Sequence, residues 1–337
     1  MAQTRRELID AAFHNQPVDR VPVGFWHHFL PSPRIDGFGK PEIHQEVLKK
    51  QAQFYKDFQP DILKVMTDGY FGYPHPWLAK KISSPKELLE IPPLGRDSEW
   101  YQAQISYAKE LVAAYGKEVQ IFYNLFTPHR VLTFTQGTIE NPFDLVPWIK
   151  EEPDTLRKVL LRVADDYALL AKGLIEEGGV DGIFLSVNSI DYDRVTAEEY
   201  ASVIAPSEIK VLEAANEAKD NNILHICGFR GFRNHLSYYK DYPVLVVNWA
   251  AHAEHKPLSE GKKLFGGRAI IGGFGQTEED LIYKGTEEEI RKETDRLLKE
   301  VGTKGVILGA DCTVPADTDV RHLEWVRDEA DKLSEER

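Results

Sequence analysis

Residues 223–229 read ILHICGF, an apolar run that encloses a histidine and one of the chain's two cysteines. The run lacks the apolar/polar alternation of a sheet with one wet face, so it reads as a strand buried on both faces. Seven further runs share this character: VPVGFW (21–26), DILKVM (61–66), VQIFYNLF (119–126), VDGIFLS (180–186), PVLVVNWA (243–250), AIIGGF (269–274) and GVILGAD (305–311). With NILHICG (222–228) they make eight.

Helical patterns fill the intervals. Ser84-Pro85-Lys86-Glu87, Thr196-Ala197-Glu198-Glu199 and Thr286-Glu287-Glu288-Glu289 fit the Ser/Thr-x-x-Glu capping box. From Asp154 to Glu177, Leu156, Val159, Leu160, Val163, Tyr167, Leu170 and Leu174 fall on one helical stripe, and Gly178-Gly179 ends it. RKETDRLLKE (291–300) reads as a solvated helix face. No Ser/Gly-rich linker, composition shift or internal repeat divides the chain. Eight buried strands alternating with helices over 337 residues predict one α/β domain, a single (β/α)8 barrel spanning residues 1–337. A doubly wound sheet would want a Gly-rich phosphate loop after an early strand. IIGGFGQ (270–276) comes late and lacks the G-x-G-x-x-G spacing.

Barrel chemistry is built at the C-terminal ends of the strands. His225 and Cys227 fall at that end of the fifth run, and positions i and i+2 of a strand share a face. Cys312 follows the eighth run directly. Two readings of these residues stand against each other: a core histidine with small buried thiols, or three ligands of one metal. A structural cysteine has no reason to prefer the functional rim, and one imidazole with two thiolates suits zinc, with a fourth position left for water or substrate. The fifth and eighth strands are three steps of about 4.8 Å apart, so the ligands must lean inward from the rim. The P-C-x-x-C pair of the nucleobase deaminases is absent.

Other rim residues are candidates for substrate contact. Asp68, after the second run, reads as a catalytic acid, an orienting carboxylate, or half of an ordinary Asp-Gly turn. His27 and His28 follow the first run, and adjacent residues point apart, so at most one meets substrate. Asn124, Asn188 and Asn248 sit near other strand ends, as hydrogen-bond donors to a ligand or as loop caps. His252 and His255 are candidates for a fourth metal ligand.

Composition narrows the classes. A net charge of −13 argues against a polyanion-binding surface, so neither nucleic acid nor an anionic membrane is an expected partner. The opening MAQTRRELIDAAF has no apolar signal core, and no run approaches a membrane span. Two cysteines in such a chain point to a reducing cytoplasm, where Cys beside His suggests metal or catalysis before a disulfide.

The opening RRELIDAAFHNQPVDRVPVGFW resembles the start of uroporphyrinogen decarboxylases, DILKVMTDGY resembles their second strand, and GADCTVPADTDVRHLEWV resembles their last strand and final helix. The resemblance spans most of the chain, implies one barrel, and puts Asp68 on the family's functional aspartate. Two departures stand out. The decarboxylases follow the first strand with an Arg-rich loop for porphyrinogen carboxylates, but here it reads WHHFLPSPR, with Arg34 as its one arginine. They are also metal-free, whereas His225-x-Cys227 with Cys312 is similar to the zinc methyltransferases of the same superfamily. That likeness implies three zinc ligands and a zinc-activated thiol, such as coenzyme M, in exchange of a methyl group with a methylcorrinoid. The corrinoid is expected on a separate protein docking transiently over the barrel mouth, because no Asp-x-His-x-x-Gly motif occurs here. The acceptor is a thiol or a reduced folate. A metal-free decarboxylase and a non-catalytic metal or ligand sensor are the alternatives. The metal-free relatives dimerise over their active sites, which makes a homodimer an open expectation.

Overall fold

The computed structural model describes residues 2–32, 35–138 and 141–335. Seven parallel strands form one sheet in chain order: β1 (Ile62–Val65), β2 (Gln120–Phe126), β3 (Gly182–Val187), β4 (Ile223–Ile226), β5 (Val246–Trp249), β6 (Ala269–Phe274) and β7 (Val306–Ala310). Each lies within an expected run or overshoots it by one residue, and all but one of their residues are buried. Helices cross over the outside: Glu99–Tyr115 before β2, Pro153–Glu176 before β3, Ala205–Ala218 before β4 and Glu287–Val301 before β7. The crossover from β4 to β5 carries only the 3-10 turns Phe229–Gly231 and Leu236–Tyr239 among its described residues.

The long crossover helix buries all seven stripe residues, and Gly179, at φ 80, ends it in the left-handed region that glycine tolerates. The box at Thr286 caps an α-helix as expected. The box at Ser84 caps only a four-residue 3-10 turn, Pro85–Leu88. A further box, Thr4 with Glu7, starts the helix Arg5–Phe13.

The expected first strand, 21–26, is not a strand. It keeps a single bridge, Val23 with Leu308 of β7. Pro22 has no N–H to give a ladder. The Val23 N–H goes to the Asp61 carboxylate at 2.8 Å instead of to a backbone carbonyl. The segment still touches both sheet edges. Gly24 N donates to Leu308 O, Leu308 N donates to Pro22 O, and Asp61 N donates to Val23 O. Glycines allow this close approach: a Cβ on Gly309 would lie 2.5 Å from Gly24 O. Asp61 is itself held by the Arg20 fork at 2.6 and 2.5 Å. The architecture is therefore a curled parallel seven-stranded α/β sheet, with an irregular segment where the first of eight strands was expected.

Candidate metal centre

Ser186, His225 and Asn248 are register partners on β3, β4 and β5, so they form one row across the sheet. The row does specific work on the histidine. Asn248 donates through Nδ2 to Ile271 O at 2.9 Å and Ala310 O at 3.2 Å. With that NH2 spent on carbonyls, Oδ1 faces His225 and accepts a short hydrogen bond from Nδ1. The proton therefore sits on Nδ1, and Nε2 offers its lone pair. On that side lies Cys312 Sγ, 3.4 Å from Nε2. The ligand atoms of His225, Cys227 and Cys312 all lie within 4.8 Å of one another.

Cys227 continues the β4 ladder by one hydrogen bond, N to Val187 O at 2.9 Å, which fixes its position beyond the strand. The hydrogen bond from Cys312, aided by His225 and Arg130, holds the Cys227 thiol well below its ordinary value. The same hydrogen bond pushes Cys312 well above. One nitrogen and two sulfurs suit zinc, and three protein ligands leave a position open. His252 and His255 are not in the group; His252 instead binds Asp311 Oδ2 through its N–H (2.9 Å) and Nδ1 (3.0 Å).

A cavity of about 70 Å³ adjoins the three residues and is lined also by Lys64, Asn124, Arg130, Ser186 and His28. Phe71 and Phe134 line both this cavity and an outer groove of about 370 Å³, and Phe126 packs edge-on to each. Asn124 accepts from Ser186 Oγ at 2.9 Å, and its Nδ2 makes no hydrogen bond among the described residues.

Lys64 and Arg130 are the residues that sequence reasoning missed. Lys64 sits inside β1, 5% exposed, with Nζ 4.6 Å from the Trp26 ring centre and 4.1 Å from that of Phe184. It makes no hydrogen bond or ion pair among the described residues. Burial lowers its ammonium to about 8, against the opposing fields of Cys312, Cys227 and Asp68. The Arg130 guanidinium lies 4.3 Å from the Phe134 ring centre, has no carboxylate partner among the described residues, and is lowered by burial. A lysine inside DILKVM, a run read as buried on both faces, was the available signal.

The remaining candidates lie apart from this cavity. Asp68 is 1% exposed, with one oxygen on His28 Nδ1 and the other on Phe29 N, both at 2.7 Å. His27 packs its ring on Phe29 and Phe54, away from the lining. Asn188 gives its Oδ1 to His129 Nε2 and Ile190 N, both at 3.2 Å. Asn248 stands behind His225. Arg34 lies outside the described residues.

A family model described as Uroporphyrinogen decarboxylase (URO-D) matches residues 70–333. The chain belongs to the URO-D family. The match begins just after Asp68; it takes in all three candidate ligands and leaves out His28, Lys64 and Met66 of the cavity lining. No curated protein matches the sequence. Among solved structures, this URO-D chain is similar to a methyltransferase from Methanosarcina mazei, with TM-score 0.74 at 15% identity over 98% of this chain and 99% of that one. It is also similar to a B12-independent methionine synthase from Shewanella sp. W3-18-1, solved with selenomethionine, with TM-score 0.57 at 16% identity over 95% of each chain. A putative vitamin-B12 independent methionine synthase from Listeria monocytogenes gives TM-score 0.53 at 13% identity, over 93% of this chain and 99% of that one. At these identities the likeness is one of fold. Among the described residues, no helix is long and apolar enough to cross a membrane.

Proposed function

We propose that this URO-D member is a zinc-dependent methyltransferase that moves a methyl group between a corrinoid held on a separate protein and a small thiol. The observation that carries the reading is the convergence of His225 Nε2, Cys227 Sγ and Cys312 Sγ within 4.8 Å beside a small cavity. The full-length fold likeness to a methyltransferase supports it. We read the curled sheet and its irregular segment as a (β/α)8 barrel with this site at the C-terminal ends of the strands.

Zinc, when bound, supplies the Lewis acidity that lets a thiol ionise near neutral pH. His225, Cys227 and Cys312 hold it, and Asn248 keeps the imidazole proton on Nδ1. Buried Lys64 and half-buried Arg130, without carboxylate partners among the described residues, receive a negative charge on the acceptor, so the acceptor is a small anionic thiol. Phe71, Phe126 and Phe134 give the cavity an apolar wall. A corrin ring is far larger than about 70 Å³, so a corrinoid would meet this cavity from outside it.

Family membership and the two unpaired cations also fit a decarboxylase acting on a small acid. Metal analysis separates the two. The purified protein is expected to hold about one zinc per chain, and Cys227→Ser or Cys312→Ser to lose it with the fold intact. Zinc-loaded protein should then demethylate methylcobalamin with thiols bearing a carboxylate or sulfonate. Wild-type protein that stays metal-free after zinc supplementation ends the methyltransferase reading, and release of carboxylates from uroporphyrinogen would promote the decarboxylase.

A further inference from the structure

We propose that His28 takes up the proton of the acceptor thiol, with Asp68 as its positioning residue. The inference rests on the methyltransferase reading for the identity of the proton donor. Its geometry is independent of that reading. Asp68 spends Oδ1 on His28 Nδ1 and Oδ2 on the Phe29 N–H, each at 2.7 Å, and is 1% exposed. A carboxylate so committed does not reach a ligand; it fixes a ring. Because Nδ1 donates to Asp68, the neutral ring has its lone pair on Nε2, which makes no hydrogen bond among the described residues. His28 lines the inner cavity with Lys64, Cys227 and Cys312. It also lines two surface grooves, one with Gln276, Thr277 and Pro315 and one with Lys50 and Gln53. Among the described residues, no other borders all three spaces. The ring edge packs on Phe71, 5.7 Å between centres, in the wall that parts cavity from solvent.

This placement suits a group that accepts a proton inside and gives it up outside. The S–H bond of the thiol breaks, its electron pair stays on sulfur, and a new N–H bond forms at His28 Nε2. Asp68 Oδ1 then faces an imidazolium and stabilises it, as a carboxylate behind a catalytic histidine does. While the thiolate stays bound, the imidazolium holds much of that proton, and Nε2 gives it to water in the surface grooves only after the sulfur has been consumed. Asp68→Asn replaces an acceptor oxygen with an amide that can present its NH2 to the ring and favour the wrong tautomer.

The test counts protons. Zinc-loaded full-length protein is titrated calorimetrically with 3-mercaptopropionate in buffers of different ionisation enthalpy, which gives protons released to solvent per thiol bound. Zinc-edge X-ray absorption reports separately whether the thiol sulfur has joined the metal. With sulfur bound in each, His28→Gln is expected to release about one proton per thiol, and wild type clearly fewer, because His28 retains part of that proton. Asp68→Asn should shift toward the His28→Gln value, a change that a purely structural aspartate would not produce. Equal proton counts in wild type and His28→Gln, with sulfur bound in both, overturn the inference and leave the methyltransferase reading standing. A metal that takes up no sulfur in any form of the protein ends that reading, and this inference with it.

Discussion

Lys64 brings an ammonium to a place where the chain offers it no anion of its own except the two sulfurs and Asp68 at a distance. Its rings, Trp26 and Phe184, recover only part of the lost hydration, about 2 kcal/mol at best. Lys64→Met keeps the stem and removes the charge, so folding stability at neutral pH should hold or rise. Binding of 3-mercaptopropionate should fall tenfold or more, about 1.4 kcal/mol, while 2-mercaptoethanol is unaffected. A pH signature accompanies this in the metal-free protein. The folded ammonium titrates near 8 and the unfolded one near 10.4, so between those values the unfolded chain holds the extra proton. Stability of wild type relative to Lys64→Met should therefore rise as pH goes from about 8 to about 10, by roughly 3 kcal/mol in total, read from urea midpoints. A flat difference across that range would place the charge in solvent. Lys64 was hard to see in sequence because a strand lysine is most often an exposed tip; only the three-dimensional closure of β1 shows it enclosed. The His28–Asp68 pair was illegible for another reason, since its members are 40 positions apart and meet only through the loop after residue 26.

At the scale of elements, the crossover between β3 and β4 hides a fully buried polar network. Residues Tyr200–Ile204 form a π-helical turn, with Ala205 N donating to Tyr200 O, just before Pro206, which has no N–H to continue an α-helical ladder. The wider turn sets the Tyr200 hydroxyl 3.1 and 3.0 Å from the two Glu208 oxygens and 3.1 Å from Asn188 O. Tyr242 also donates to Glu208, and His129 Nδ1 lies 3.2 Å from it. Through Asn188 the network holds Ile190 at φ 64, a left-handed conformation that a β-branched residue adopts only under constraint. Glu208→Ala leaves several buried donors without an acceptor and should cost about 3 kcal/mol in chemical denaturation, while Glu208→Gln costs less. Equal losses would mean that packing volume, not hydrogen bonding, holds the turn. The strands and the long crossover helix could be read directly, because two-faced burial and a 3.6-residue stripe are local patterns. The π-helical turn and the Asn188 network could not, because they depend on which of several polar groups a fold leaves within reach.

For the whole molecule, the segment 21–26 is the piece that ties the two edges of the sheet to each other, and Asp61 is its clasp. The carboxylate accepts from Val23 N and from both arms of Arg20, at 2.5 to 2.8 Å, while wholly buried. Asp61→Ala strands a buried N–H and a guanidinium together and should destabilise the protein by roughly 3–5 kcal/mol. Amide exchange should quicken first at residues 23 and 24 and along β7, and unchanged protection there would show that the edges do not need the clasp. The opening was expected to lead into a first strand, but Pro22 and the side-chain capture of the Val23 N–H keep the segment from being one.

That junction joins Val23 to Leu308, residues far apart in the sequence, and so sets a schedule for biosynthesis. At about 5–20 residues per second, the 85 positions from 227 to 312 take a ribosome roughly 4–17 s. Through that interval Cys227 exists on a nascent chain whose second sulfur has not been made, and whose sheet still lacks its last strand. A metal captured then would be held by His225 and Cys227 alone. On the proposed zinc reading, the third ligand arrives only with the residues after β7, so binding through all three must wait for the synthesis of Cys312.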